Sequence, residues 1–265
     1  MIKKMTLATT LLLSSALYAN QETSLGLDMD GKYQRQDYAQ DASDNYRLAL
    51  QPWWSYGNWL AYGELPFEAR ESTSSSSQTV YARTSTGRII RRIAPQTVTT
   101  SKTQQQEGIA DASLGLSYGV FVKDWQLAAA LDYKFANGDV ASGLGSDSTE
   151  TSLSWSSTYS WQKLKLNAQV GQVWIGGNNP YKNKDYVFVS SSGKWQLQPT
   201  IDVALLYSTQ SELYAAAPNQ DYMQVRFDWR ANSLIKVYLS HGQYLQNAPS
   251  LPKQEVSIGI KMLIK

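Results

Sequence analysis

Trp125-Gln-Leu-Ala-Ala-Ala-Leu-Asp-Tyr-Lys-Phe135 alternates with a period of two. Trp125, Leu127, Ala129, Leu131, Tyr133 and Phe135 share one side of an extended chain, because successive strand side chains point to opposite faces. Gln126, Ala128, Ala130, Asp132 and Lys134 share the other. The stretch reads as a strand with one apolar face, aromatic at both ends, and one small or charged face. The pattern recurs on both sides of it. Tyr46, Leu48, Leu50 and Trp54 alternate with Arg47, Ala49 and Gln51, and Ala112, Leu114, Leu116 and Tyr118 with Asp111, Ser113, Gly115 and Ser117. Thr151 to Trp161, Asp221 to Arg230 and Glu255 to Met262 repeat it. Helical periodicity is nearly absent.

The breaks between these strands alternate in length. Short ones fall at Tyr56–Asn58, Val122–Asp124, Ser160–Lys163, Ser192–Lys194 and Ala231–Ser233. Long ones fall at Asp37–Asp44, Ser72–Gln106, Gly138–Ser148, Gly176–Lys184, Tyr214–Gln220 and Asn247–Lys253. This spacing predicts about twelve strands, short turns on one rim and long loops on the other, as in outer-membrane barrels. The expected fold class is all-β: a single antiparallel transmembrane β-barrel of about 12 strands after a cleaved signal peptide. A soluble sandwich would hide its apolar faces. A barrel turns them to lipid and collects aromatics near strand ends, here Trp54, Trp59, Trp125, Tyr133, Phe135, Tyr159, Trp161, Tyr207 and Trp229.

Composition removes other classes. The 265 residues include no Cys, one His, 9 Trp and 17 Tyr, with a formal charge of +2. A disulfide scaffold, a thiolate metal site and a lipoprotein anchor are therefore excluded. The near-zero charge argues against nucleic acid as a partner. The mean hydropathy of −0.39 and the lack of an apolar run of ~20 residues argue against a helical span. Residues 1–19 read as a signal peptide: Lys3 and Lys4, an apolar run from Leu7 to Leu17, then Ala19. Residues 20–265 then form one outer-membrane domain, with a long extracellular loop near 72–106.

The faces opposite the apolar ones are expected to line the lumen. Their acids are Asp28, Asp30, Glu64, Glu68, Asp111, Asp132, Asp202, Asp228 and Glu255; their bases are Lys32, Arg47, Lys134, Lys165, Arg226, Arg230, Lys236 and Lys261. The sets nearly balance, which disfavours a strongly anion-selective pore. Ion pairs filling a narrow bore and a wet channel both remain open; pairs interlocked across the bore would favour the first.

Gly108-Ile-Ala-Asp-Ala-Ser-Leu-Gly-Leu-Ser-Tyr-Gly119, Asp132-Tyr-Lys-Phe-Ala-Asn-Gly-Asp139 and Gly143-Leu-Gly-Ser146 carry a further signal. The chain resembles, over roughly residues 40–265, the outer-membrane transporter family of the MetA pathway of phenol degradation. Ala136-Asn137 stands where that family tends to have Pro-Thr, and the chain ends Ile264-Lys265 where barrels usually end in an aromatic. The resemblance implies a porin-like channel or transporter in a Gram-negative outer membrane. It would allow passive passage of small molecules, apolar or aromatic compounds among them. Its implied partners are outer-membrane lipid and lipopolysaccharide, the barrel assembly machinery and an unspecified small solute. A non-conducting structural or surface-adhesive barrel is the alternative.

Enzymatic chemistry has little to stand on. His241 is the single candidate base for a Ser-based hydrolase and falls on the predicted outward face. Glu64 and Glu68 lie about 13 Å apart along a strand, wider than a glycosidase pair. No cofactor fingerprint or metal spacing appears, and Asp139 with Asp147 is too sparse for a calcium loop. The Ser72–Gln106 segment holds Arg83, Arg88, Arg91 and Arg92, which could form a constriction, bind lipopolysaccharide, or cap a plain extension of the flanking strands.

Overall fold

The computed structural model describes residues 23–38, 41–80, 96–139, 144–177, 184–211, 219–246 and 252–264. The expected signal segment lies outside the described residues. The strands are β1 (Ser24–Asp37), β2 (Asp41–Tyr56), β3 (Trp59–Val80), β4 (Gln96–Ile109), β5 (Ser113–Val122), β6 (Trp125–Lys134) and β7 (Thr149–Trp161), then β8 (Leu164–Gly176), β9 (Tyr186–Gln198), β10 (Ile201–Gln210), β11 (Gln220–Arg230), β12 (Ile235–Tyr244) and β13 (Gln254–Ile264). Each pairs antiparallel with its neighbour, and β13 pairs back onto β1 from Leu27↔Ile264 to Asp37↔Gln254. β4 and β5 share one position: β4 pairs with Phe67–Val80 and β5 with Trp59–Glu64 of the same β3. The result is a closed, twelve-position barrel.

The β4–β5 break is a local bulge beside Pro66, which has no N–H to give the ladder and so belongs at such a point. Pro66 still accepts from the Ala110 N–H at 3.0 Å. Tight turns join the inner ends. Gly57 (φ 55°), Lys123 (φ 56°) and Gln162 (φ 49°) supply the left-handed residues at three of them. The turn expected at Ser192–Lys194 lies instead at residues 199–200. Ser192, Gly193 and Lys194 are interior to β9, laddered to β8 and to β10. Their small polar side chains favour a turn locally, but ladder bonds on both flanks outweigh that preference. Of the readings open for the segment near 72–106, the described residues agree with a plain extension of the flanking strands, since β3 and β4 pair out to Val80↔Gln96.

The apolar faces are outside. Leu131 is 51% exposed, Phe227 50% and Trp229 53%, whereas Asp202 is 2% exposed, Asp228 5% and Ser257 1%. A soluble sandwich would show the reverse. Cross-strand aromatic pairs band the outer surface: Trp59 with Tyr118 and Trp125 with Tyr159, both at 4.9 Å, near the inner rim, and Tyr33 with Tyr46 at 5.2 Å near the other.

Inside, large rings lie flat on glycines of the next strand. Trp53 covers Gly26, Tyr62 covers Gly115, Phe188 covers Gly171 and Tyr238 covers Gly259, each pair directly opposite in register. A Cβ at any of these glycines would overlap the ring. The pairing fills the space a missing side chain leaves and holds the ring against the wall rather than across the bore. Gly171→Val should therefore destabilise the barrel by ~1–3 kcal/mol, the usual range for overpacking. Urea midpoints of the protein refolded in lipid vesicles will measure it, and an unchanged midpoint would show that the Phe188 ring is not confined.

Candidate functional site: the inward charge network

The inward faces carry nearly all the charges expected there, and every one of their ion pairs runs along the wall. Asp28 meets Lys261 at 2.8 Å and Glu255 meets Lys32 at 3.8 Å, both across the β1–β13 seam. Asp30 accepts from the Tyr238 hydroxyl at 3.0 Å. Arg47 on β2 bonds Glu64 and lies 3.7 Å from Glu68, both on β3. The two glutamates, separated along the strand, thus share one guanidinium. Asp132 accepts from Tyr62 and, at 3.3 Å, from Ser152. Lys134 bonds Glu150 and lies 3.8 Å from Asp111. Asp202 is held by Lys194 at 2.8 Å and Arg230 at 3.4 Å; Asp228 is held by Arg226 at 2.6 Å and Lys236 at 3.0 Å.

Nearly all of these pairs join residues of one strand or of neighbouring strands. The widest, Lys194 to Asp228 at 4.0 Å, steps from β9 to β11. Among the described residues none crosses the bore. Such pairing is what makes so many partly buried charges tolerable, since a lone one would carry a large desolvation cost.

Some expected residues stand apart. Lys165 is exposed near the inner turn, opposite Ser160 and Lys194. Arg83, Arg88, Arg91 and Arg92 lie outside the described residues. His241 stands exposed on the outward face between Val225 and Val256. Asp139 and Asp147 form no metal-binding group with other acids among the described residues. The network also contains members that the sequence reading omitted. Glu150 precedes the expected start of its strand, Arg70 stands at the edge of the segment read as loop, and Lys194 sits in the misread turn. In each case the period-two rule, carried past the expected strand boundary, places the side chain inward.

Asp111 organises the outer part of the wall. It sits in the β4–β5 break with its side chain 7% exposed. Its carboxylate accepts from the Gly138 N–H at 2.9 Å, the Ser146 N–H at 2.8 Å and the Ser146 hydroxyl. Asp139 N–H donates to the Ile109 carbonyl at 2.8 Å. The segment after β6 is thereby latched onto the break, and Leu144 is buried there. Asp111 forms one half of this latch, and Gly138, Asp139 and Ser146 the other.

A cavity of 270 Å³ lies below the latch. Arg47, Glu64, Lys134 and Glu150 line part of it. Leu144, Val173, Tyr186 and Phe188 line another part and are all buried. A smaller cavity of 60 Å³ lies beside Asp30, Lys32, Arg47 and Arg226.

No protein-family model and no curated protein matches the sequence. Solved structures do match the fold. The COG4313 outer membrane channel from Pseudomonas putida F1 is similar with a TM-score of 0.65 at 10% identity, over 90% of this chain and 95% of that one. The NanC porin (TM-score 0.54, 11% identity) and the KdgM porin (TM-score 0.52, 9% identity) are each similar over 89% of this chain and 98% of theirs. At such identities the likeness is one of fold, that of an outer-membrane β-barrel.

The latch makes a local prediction. Asp111→Ala leaves two backbone N–H groups without their acceptor, a loss of about 1–3 kcal/mol for each group that stays buried. Amides of residues 138 and 144–148 should then exchange at least about tenfold faster, while β7 and β8 are unchanged. Hydrogen-exchange mass spectrometry reads this; equal protection in the two proteins would mean the carboxylate does not hold the segment.

Proposed function

We propose that the protein is an outer-membrane channel for passive passage of small molecules. The observation that carries this reading is the direction of the charge network. The ion pairs join residues along the wall and leave the middle of the barrel to a cavity of 270 Å³. A structural barrel plugged by its own side chains would have pairs linking opposite walls. The inward residues from Asp28 to Lys261 then act as the polar wall of a wet passage, with the latch segment narrowing it at Leu144 and Ser146. The channel and porins of similar fold agree with this role. So does the resemblance to the MetA-pathway transporter family, whose motif residues here shape the wall. Val173, Tyr186 and Phe188 give the passage an apolar flank, which suits apolar or aromatic solutes. Lipid and lipopolysaccharide surround the exposed apolar band, and insertion falls to the barrel assembly machinery.

Purified protein in planar bilayers should give discrete conductance steps in KCl. Ser152→Trp, which places a bulky side chain on the cavity wall, should lower the step by about twofold or more. Silence from wild-type protein whose folded, inserted state is shown by heat-modifiable gel mobility would overturn the channel reading.

A further inference from the structure

We propose that the passage holds a binding site for a small carboxylate carrying an apolar or aromatic body, a deepening that rests on the channel reading above. The first observation is a like-charge pair. Lys32 on β1 and Arg47 on β2 are directly opposite in register on the inward side. Such pairs destabilise a sheet. Arg226 on β11 adds a third cation to the lining of the same 60 Å³ cavity. Three cations line this small space against one carboxylate, Asp30, which is already accepting from Tyr238.

Each cation is held from outside the small cavity. Lys32 has Glu255, Arg47 has Glu64 and Glu68, and Arg226 has Asp228. Arg226 is further fixed by stacking 4.0 Å over the Tyr238 ring, which itself lies on Gly259. None of those four acids lines the small cavity. The cations are therefore held in place by carboxylates outside the small cavity, and within its lining three cations stand against one carboxylate. Gln51, Gln224 and Ser240 add neutral hydrogen-bonding groups there. The space matches about two water molecules, enough for the two oxygens of a carboxylate.

The second observation is continuity. Lys32 and Arg47 also line the 270 Å³ cavity. Its apolar flank of Val173, Tyr186 and Phe188 belongs to β8 and β9, half-way round the barrel from β1 and β2. A ligand with its anionic head at Lys32 and Arg47 can thus lay an apolar body toward the opposite wall. Overall charge balance conceals this site: of the compensating acids, Glu64 and Glu68 line the larger cavity and Glu255 and Asp228 line neither.

The test uses the folded protein in detergent, with benzoate, acetate, benzyl alcohol and benzylammonium as probes, followed by titration calorimetry. Benzoate should bind in the millimolar range or tighter, and acetate, benzyl alcohol and benzylammonium at least about tenfold more weakly. Arg226→Gln combined with Lys32→Gln should weaken benzoate binding about tenfold or more, and Arg226→Lys, which keeps the charge but loses the stacked fork, should bind benzoate more tightly than Arg226→Gln alone. The lysine variant separates loss of charge from loss of fold. Equal binding of benzyl alcohol, or indifference of benzoate binding to the double substitution, would overturn the site. Conductance in KCl without benzoate binding overturns the site and leaves the channel standing. Benzoate binding without conductance overturns the channel and leaves the carboxylate site standing.

Discussion

In hydrocarbon, an unpaired backbone N–H or carbonyl has no water to turn to, and each costs several kcal/mol. The closed twelve-position sheet is the answer to that constraint, and the other features follow from it. Closure removes both edges, so β1 must find β13. Closure also forces every strand to show one face to lipid and the other to the interior, which fixes where apolar and charged side chains go. The break in the wall between β4 and β5 stays within the rule. Ala110 N–H reaches Pro66, and the Asp111 carboxylate receives N–H groups from the segment folded over it.

The interior then has its own problem, since charges sit close together in a narrow space. The protein solves it sideways, each charge meeting a partner on its own strand or near it. This ties strands together at their inward faces while the bore stays unbridged. The glycine–ring pairs do the same for bulk. Tyr62, Phe188 and Tyr238 are large, yet each lies against the wall because the residue opposite has no side chain. Wall and opening are shaped by the same choice of neighbours.

Much of this was legible in the sequence because a barrel spells its two faces in alternate letters. Trp125 to Lys134 and Met223 to Arg230 behave in the structure as their period implies. What was not legible depended on cross-strand context. Ser192-Gly193-Lys194 has turn-like composition, and only its ladder partners make it a strand. Phe188 and Tyr186 look like lipid-facing residues until register sets Phe188 against Gly171. The convergence of Lys32, Arg47 and Arg226 joins strands distant in sequence, and no local pattern encodes it. Lys165 obeys its period but lies too near the turn to join the network.

The seam between β1 and β13 has a consequence for assembly. On its inward side Asp28 meets Lys261, and Glu255 meets both Lys32 and the Gln36 amide at 3.0 Å. A slip of one residue would turn all of these toward lipid at once. A lysine at the bilayer midplane alone costs ~2–4 kcal/mol. The first and last strands, synthesised far apart in time, therefore carry a proofreading code for each other. Only the native alignment keeps these pairs together on the inward side.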